Sequence, residues 1–185
     1  MQRSDDKEAI RALMLSARDG FAEKYRLSAG RLIESRLLAL DEFRNATVLS
    51  TCVSKASEID TQGITRAALC LGKRTLVPVI DRDNRRLVLS ELADPDGELA
   101  LGTFGILEPK PEFRRIAPLK QAEFALVPRI AWNLRRYRLG YGMAYYDSAL
   151  RELESETCTL GLPYESQLLP RLLSEGHDVR VKMGD

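Results

Sequence analysis

Histidine is nearly absent: His177 is the only one in 185 residues, which excludes zinc sites built on paired histidines and any two-histidine acid–base scheme. A triad with one histidine stays open. Cysteine is scarce too. Cys52, Cys70 and Cys158 are odd in number and far apart, so reduced, buried and inert thiols in a cytoplasmic protein are expected rather than a disulfide framework. Net charge is close to zero, with 28 Lys and Arg against 27 Asp and Glu, which removes any global attraction to an anionic membrane and argues against a nucleic-acid partner. The opening residues MQRSDDKEAIRALML contain no continuous apolar segment, and no run approaches the roughly 18 apolar residues needed to cross a bilayer. Repeats, low-complexity tracts and linkers are missing as well. One domain over residues 1–185 is therefore expected, and a 44% hydrophobic fraction is enough to build its core.

What is present has the grammar of an α/β protein. Ile10, Leu13, Met14, Ala17 and Phe21 recur at helical spacing and predict an amphipathic helix from Asp5 to Arg26. Ser28 is placed to cap a second helix carrying Ile33, Leu37 and Leu40. A strand over Ala46 to Cys52, a helix over Asp60 to Leu71 ending at Gly72, and a strand over Arg74 to Ile80 then follow in β-α-β order. That order needs a crossover, and a parallel sheet covered by helices is its simplest architecture. DRDNRRLVLSEL predicts a hairpin or edge strand, while Ala93 to Lys120 is rich in Gly and Pro and reads as a long functional loop. Strands are expected at Phe124 to Val127 and Thr157 to Leu162, with a last one around Val179 to Val181. Tyr146, Leu150 and Leu153 mark a helix between the first two.

The chemistry is concentrated in ALVPRIAWNLRRYRLGYGMAYYDSAL, residues Ala125 to Leu150. A strand, a glycine-bearing loop and a helix in succession place free backbone N–H groups and a positive helix end at the carboxyl edge of a sheet, which suits a phosphate. Arg129, Arg135, Arg136 and Arg138 add donors able to grip phosphoryl or carboxylate oxygens, although such a loop can equally be a solvated surface.

The run Arg138-Leu139-Gly140-Tyr141-Gly142-Met143-Ala144-Tyr145-Tyr146-Asp147 resembles the Arg-Leu-Gly-x-Gly-x-Gly-Tyr-Tyr-Asp signature of 5-formyltetrahydrofolate cyclo-ligases. The resemblance extends along the chain in order. Lys7 and Arg11 are similar to the family's N-terminal Lys-x-x-x-Arg pair, Glu58-Ile59-Asp60-Thr61 to its Glu-Val-x-Thr segment, and Phe104 to Pro109 to its Gly-Ile-x-Glu-Pro segment. Gln167 and His177-Asp178 resemble its C-terminal end. The resemblance implies a Rossmann-like three-layer α/β fold, with a mostly parallel sheet covered by helices. It also implies ATP- and Mg2+-dependent conversion of 5-formyltetrahydrofolate to 5,10-methenyltetrahydrofolate through phosphorylation of the formyl oxygen.

Carried over position by position, it implies that Lys7, Arg11, Arg138, Gly140 and Gly142 bind ATP and that Asp147 holds Mg2+ directly or through water. Glu58, Trp132 and Tyr146 line the folate site, and Arg138 and Tyr146 take part in the chemistry. Lys7 and Arg11 can also be a solvated helix face, and Trp132, Tyr145 and Tyr146 core aromatics. Departures stand beside the matches: Tyr141, Met143, Ala144 and Ser148 replace an arginine, two glycines and a second arginine of the usual loop. Arg129 and Arg136 stand where glycine is common, and Asn133 where aspartate is common. If a replaced glycine needs positive φ, the substitution strains the loop. Either Arg135 and Arg136 restore the lost charge, or the site has moved to another ligand. The alternative function is a catalytically silent relative that binds folate, nucleotide or RNA. An isomerase or acyl-transfer enzyme on a related α/β fold would turn over without ATP.

Overall fold

The computed structural model describes residues 2–172 and 179–182, with side chains in the first helix from residue 6 onward. The two expected helices are present as α1 (Gln2–Asp19) and α2 (Glu23–Ala39), but the boundary between them falls before Glu23 and not after Arg26. The chain breaks at Gly20, and Phe21 turns its ring onto Tyr25 and Tyr164, each at a centroid distance of 5.0 Å. Ser28 consequently lies inside α2 rather than capping it, and its Oγ donates to the Tyr25 carbonyl at 2.9 Å. The buried face of α1 is also rotated from the predicted stripe. Leu13 is 63% exposed and Ala17 is exposed, whereas Met14 and Arg18 are buried and Lys7 and Arg11 half-buried. An apolar stripe marks the inner face only when the cations of a helix face water, and here three of them do not.

After α3 (Asp41–Asn45), β1 (Val48–Ser50) passes through the crossover helix α4 (Gln62–Cys70) to β2 (Arg74–Asp81), which pairs parallel to β1. Gly72, at φ 73°, closes α4: its N–H donates to Leu69 O at 2.9 Å and that of Lys73 to Ala68 O at 3.0 Å. This left-handed ending is one glycine adopts without a Cβ penalty. β3 (Arg86–Leu92) returns antiparallel to β2 as the predicted hairpin, its turn held by Asp81 accepting from Asn84 N at 3.1 Å.

The stretch read as one long loop holds short elements: α5 (Pro95–Glu98), β4 (Leu99–Leu101), β5 (Leu107–Pro109) and β6 (Ile116–Ala117). β4 and β5 form a separate ribbon, and β6 joins the main sheet beside β3. β7 (Phe124–Val127) leads to a second ribbon, β8 (Ala131–Trp132) with β9 (Arg138–Leu139). Then come α6 (Tyr145–Glu152) and β10 (Cys158–Gly161).

The six-stranded sheet runs β10-β7-β1-β2-β3-β6; β10, β7, β1 and β2 are parallel, and β3 alone runs against them, pairing antiparallel with both β2 and β6. On one face Leu49, Phe124 and Leu126 pack with Leu37 of α2 and Ile64 and Ala68 of α4. On the other, Leu76, Leu87 and Leu89 pack with Ala149, Tyr145 and Tyr146 of α6. Helices thus cover both faces, and the mostly parallel three-layer α/β fold is as expected. Removing a fully buried ring such as Phe43 or Phe124, which meet edge-on at 5.8 Å, costs about 3–5 kcal/mol.

Val179 to Val181 pairs with no strand among the described residues. The Val181 N–H instead donates to Arg136 O at 3.0 Å, and Val179 and Val181 pack beside Val127 and Leu150. His177 and Asp178 lie outside the described residues. The three cysteines are free as expected, but only Cys52 is fully buried; Cys70, at the open end of α4, is exposed. No helix of the described residues is long and apolar enough to cross a membrane.

Candidate active site

The carboxyl ends of β1 and β7 and the length of β2 open into a cavity of about 390 Å3, whose lining includes Cys52, Val53, Pro78, Ile80 and Pro128. Parallel strands that end together leave such a crevice, and the loops that follow them furnish its walls. Burial, then the nearby Glu58, push the Cys52 thiol up to about 12, so it is a wall and not a nucleophile.

Into this cavity the fold brings Lys7 and Arg11 from α1, Glu58 from the loop after β1, Arg138 from β9, Gly140 and Gly142 from the loop that follows it, and Tyr146 and Asp147 from the first turn of α6. Trp132 is not among the lining residues. It sits on the β8–β9 ribbon with its ring 4.7 Å from the Arg129 guanidinium carbon. Arg135 and Arg136 are exposed and form the turn of that ribbon, so neither replaces charge in the cavity. The Asn133 carboxamide oxygen shapes this turn by accepting from Arg135 N at 3.0 Å and Tyr137 N at 3.1 Å.

Arg138 is buried and its Nη2 lies 2.9 Å from Asp147 Oδ1. Its guanidinium carbon is 5.9 Å from the centre of the Tyr146 ring. A Cβ at Gly140 would lie 2.7 Å from Arg138 Nη1, so glycine leaves the guanidinium its room. Arg11 Nε donates to Gly140 O at 2.9 Å, which ties α1 to the loop. Burial holds the Tyr146 phenol well above its usual range, with Cys52 and Glu58 acting in the same direction and Arg138 against them. Tyr146 is therefore a hydrogen-bond donor and not a base.

In the loop after β1, Glu58 Oε2 accepts from Lys55 N at 2.9 Å and Oε1 from the Tyr141 hydroxyl at 2.5 Å. Buried Arg129 donates from Nη2 to Gly161 O at 2.6 Å, and burial and the neighbouring Arg138 lower its pKa to about 10. A Cβ at Gly161 would lie 2.3 Å from Arg129 Nε, so this glycine makes space for an arginine that the family pattern does not have.

Both glycine replacements at φ-critical positions are strained. Arg136 has φ 67°, and Ala144, which precedes α6, has φ 55° and ψ 7°. A left-handed conformation costs a residue with a Cβ about 1–2 kcal/mol, offset in part by the extra unfolded-state entropy of glycine. Ala144→Gly is expected to raise the thermal midpoint by about 2 °C, read from a reversible melting curve; a fall would show that Ala144 is relaxed.

Several lining residues escaped sequence reasoning. Glu108, 5% exposed, accepts from Thr103 N at 3.1 Å and reaches Arg114 at 3.6 Å. Lys55, Phe104 and Tyr141 also line the cavity. Glu108 and Phe104 lay within a segment already noted for its family resemblance, and that was the available signal. Arg18, which is buried behind Tyr141 and Glu58 and does not line the cavity, had another signal: it is four residues from Met14 and thus on the inner face of α1.

Among the described residues no group of three or more His, Cys, Asp or Glu side chains converges to hold a metal. A site for Mg2+ does not need one, because this ion keeps waters and is commonly held by one or two carboxylates plus substrate phosphates. Asp147, 17% exposed and placed among the cations, fits that donor set.

Known proteins share this fold and part of the sequence. A solved structure of Aquifex aeolicus 5,10-methenyltetrahydrofolate synthetase is 26% identical and superposes with a TM-score of 0.84, covering 96% of this chain and 88% of that one. A 5,10-methenyltetrahydrofolate synthetase from Mycoplasma pneumoniae, 19% identical with a TM-score of 0.79 and 97% of each chain covered, shares the fold. The 5-formyltetrahydrofolate cyclo-ligase of Haemophilus influenzae is 25% identical over 174 residues, 94% of this chain and 93% of its own length. The model of the 5-formyltetrahydrofolate cyclo-ligase family matches residues 3–183, and the chain belongs to that family.

Proposed function

We propose that this protein converts 5-formyltetrahydrofolate to 5,10-methenyltetrahydrofolate, with ATP as phosphoryl donor and Mg2+ as its companion ion. The observation that carries this reading is the convergence of Lys7, Arg11, Arg138 and Asp147 on the cavity that Glu58 and Tyr146 also line. The formyl oxygen is a poor leaving group. Once phosphorylated it departs as phosphate when the second folate nitrogen attacks the formyl carbon. Such a reaction needs positioning and charge neutralisation more than a protein nucleophile, and the cavity offers cations and an inert thiol.

In this reading Lys7, Arg11 and Arg138 bind the phosphates, together with the backbone at Gly140 and Gly142. Asp147 would hold Mg2+, which supplies further charge neutralisation on the phosphoryl oxygens. Glu58 accepts N–H donors of the folate ring. Tyr146 donates a hydrogen bond beside Arg138. Trp132, expected at the folate from the resemblance, has no part in this assignment because it lies outside the cavity lining.

The test is an assay of purified protein with 5-formyltetrahydrofolate, ATP and Mg2+, following methenyl product by absorbance. Product is expected only with ATP, and is expected to collapse in Asp147→Ala. No product from folded protein would overturn the assignment.

A further inference from the structure

Tyr141 lies on the loop between β9 and α6, yet its hydroxyl reaches back to the loop after β1 and meets Glu58 Oε1 at 2.5 Å. Behind it, Arg18 Nη2 donates to the same hydroxyl oxygen at 3.1 Å. The direction of the chain is forced. A guanidinium only donates, so the phenol oxygen accepts from Arg18 and its single proton is left for Glu58. Arg18, 3% exposed, is itself held in place. Its Nε donates to Ser57 Oγ at 2.9 Å, and Ser57 Oγ donates to Asp19. Lys55 stacks its ammonium 4.7 Å from the centre of the Tyr141 ring and donates to Phe104 O at 3.2 Å.

A carboxylate offers about four lone-pair positions. Tyr141 uses one on Oε1 and the Lys55 N–H one on Oε2, so one position on each oxygen stays open. Two open positions on adjacent oxygens match two adjacent N–H donors, the edge that a 2-amino-substituted pyrimidone ring presents. Burial, and then the charge of Glu58, push the Tyr141 phenol above its usual range, so it remains a donor.

We propose that Tyr141 is a positioning residue for the folate: backed by Arg18, its hydroxyl fixes the Glu58 carboxylate so that one acceptor position per oxygen remains for a paired N–H edge of the substrate. This rests on the reading of Glu58 as the carboxylate that meets the folate ring. It also assigns a use to the residue at which this chain departs from the family loop. The side chain after Gly140 serves the carboxylate and not a phosphate.

Tyr141→Phe keeps the ring and its stacking on Lys55 while deleting the hydroxyl. Its KM for 5-formyltetrahydrofolate, and its Kd for the same compound measured without ATP, are expected to rise about ten-fold. Its kcat and its KM for ATP should stay within about two-fold. A structural role would not produce that split. Unchanged folate parameters in Tyr141→Phe, or a loss confined to kcat or to the ATP KM, would overturn the proposal while leaving the cyclo-ligase reading intact. A wild-type protein that neither binds nor turns over 5-formyltetrahydrofolate would overturn that reading, and the role of Tyr141 with it.

Discussion

Replacing Arg138 by methionine is expected to lower kcat by about 10²–10³-fold at saturating ATP and folate. Arg138 is buried and ion-paired to Asp147 at 2.9 Å. The field of a preorganised, buried cation on a transferring phosphoryl group is screened less than that of a cation in water. Methionine fills similar volume without the charge, so loss of packing is not the reason for the fall. Asp147 retains 17% exposure and can be rehydrated, so the stability loss should stay at about 1–3 kcal/mol, below the cost of stranding a fully buried charge. Arg138→Lys restores the charge without the planar fork and is expected to recover only part of the rate. Single-turnover kinetics beside a melting curve would check both effects. A kcat within three-fold of wild type would remove Arg138 from the reaction.

Arg129 is the second buried arginine beside this pair. Burial, and then the nearby charge of Arg138, lower the Arg129 pKa. Gly161 O and the Trp132 ring are the partners that hold Arg129. Trp132 is thereby occupied as a surface for a cation of the protein, which accounts for its place outside the cavity.

How far the sequence could be read depended on whether local preference and tertiary demand agreed. The β1-α4-β2 unit was legible because its apolar runs face the core and Gly72 ends its helix in a left-handed conformation that favours glycine. The loop before α6 was legible through Gly140 and Gly142, whose small size the guanidinium groups of Arg138 and Arg11 exploit. α1 was misread in its facing, because Lys7, Arg11 and Arg18 occupy positions that an apolar stripe normally fills. Glu108 was hidden for a related reason. Its burial depends on the β4–β5 ribbon, a non-local pairing that a Gly- and Pro-rich segment does not announce. Tyr141 could be seen as a departure from the family loop. That its hydroxyl meets Glu58, 83 positions earlier, is a fact of three dimensions.

Glu58→Gln carries the other large effect, an expected rise of about 100-fold in the KM for 5-formyltetrahydrofolate. The two substrate N–H bonds become ordinary instead of charge-assisted, and one carboxamide edge offers a donor where the substrate also donates; a loss of about 2.7 kcal/mol corresponds to that factor. The same change weakens the acceptor facing Tyr141 and reduces the charge opposite Arg18, whose Nη1 stands 3.9 Å from Oε1. Because these contacts belong to one network, Glu58→Gln and Tyr141→Phe should be strongly non-additive, the double variant costing little more than Glu58→Gln alone. The KM for ATP serves as the control, since Lys7, Arg11 and Arg138 remain in place. A folate KM within three-fold of wild type would place the ring elsewhere in the cavity, with Glu108 as the remaining buried carboxylate in its wall.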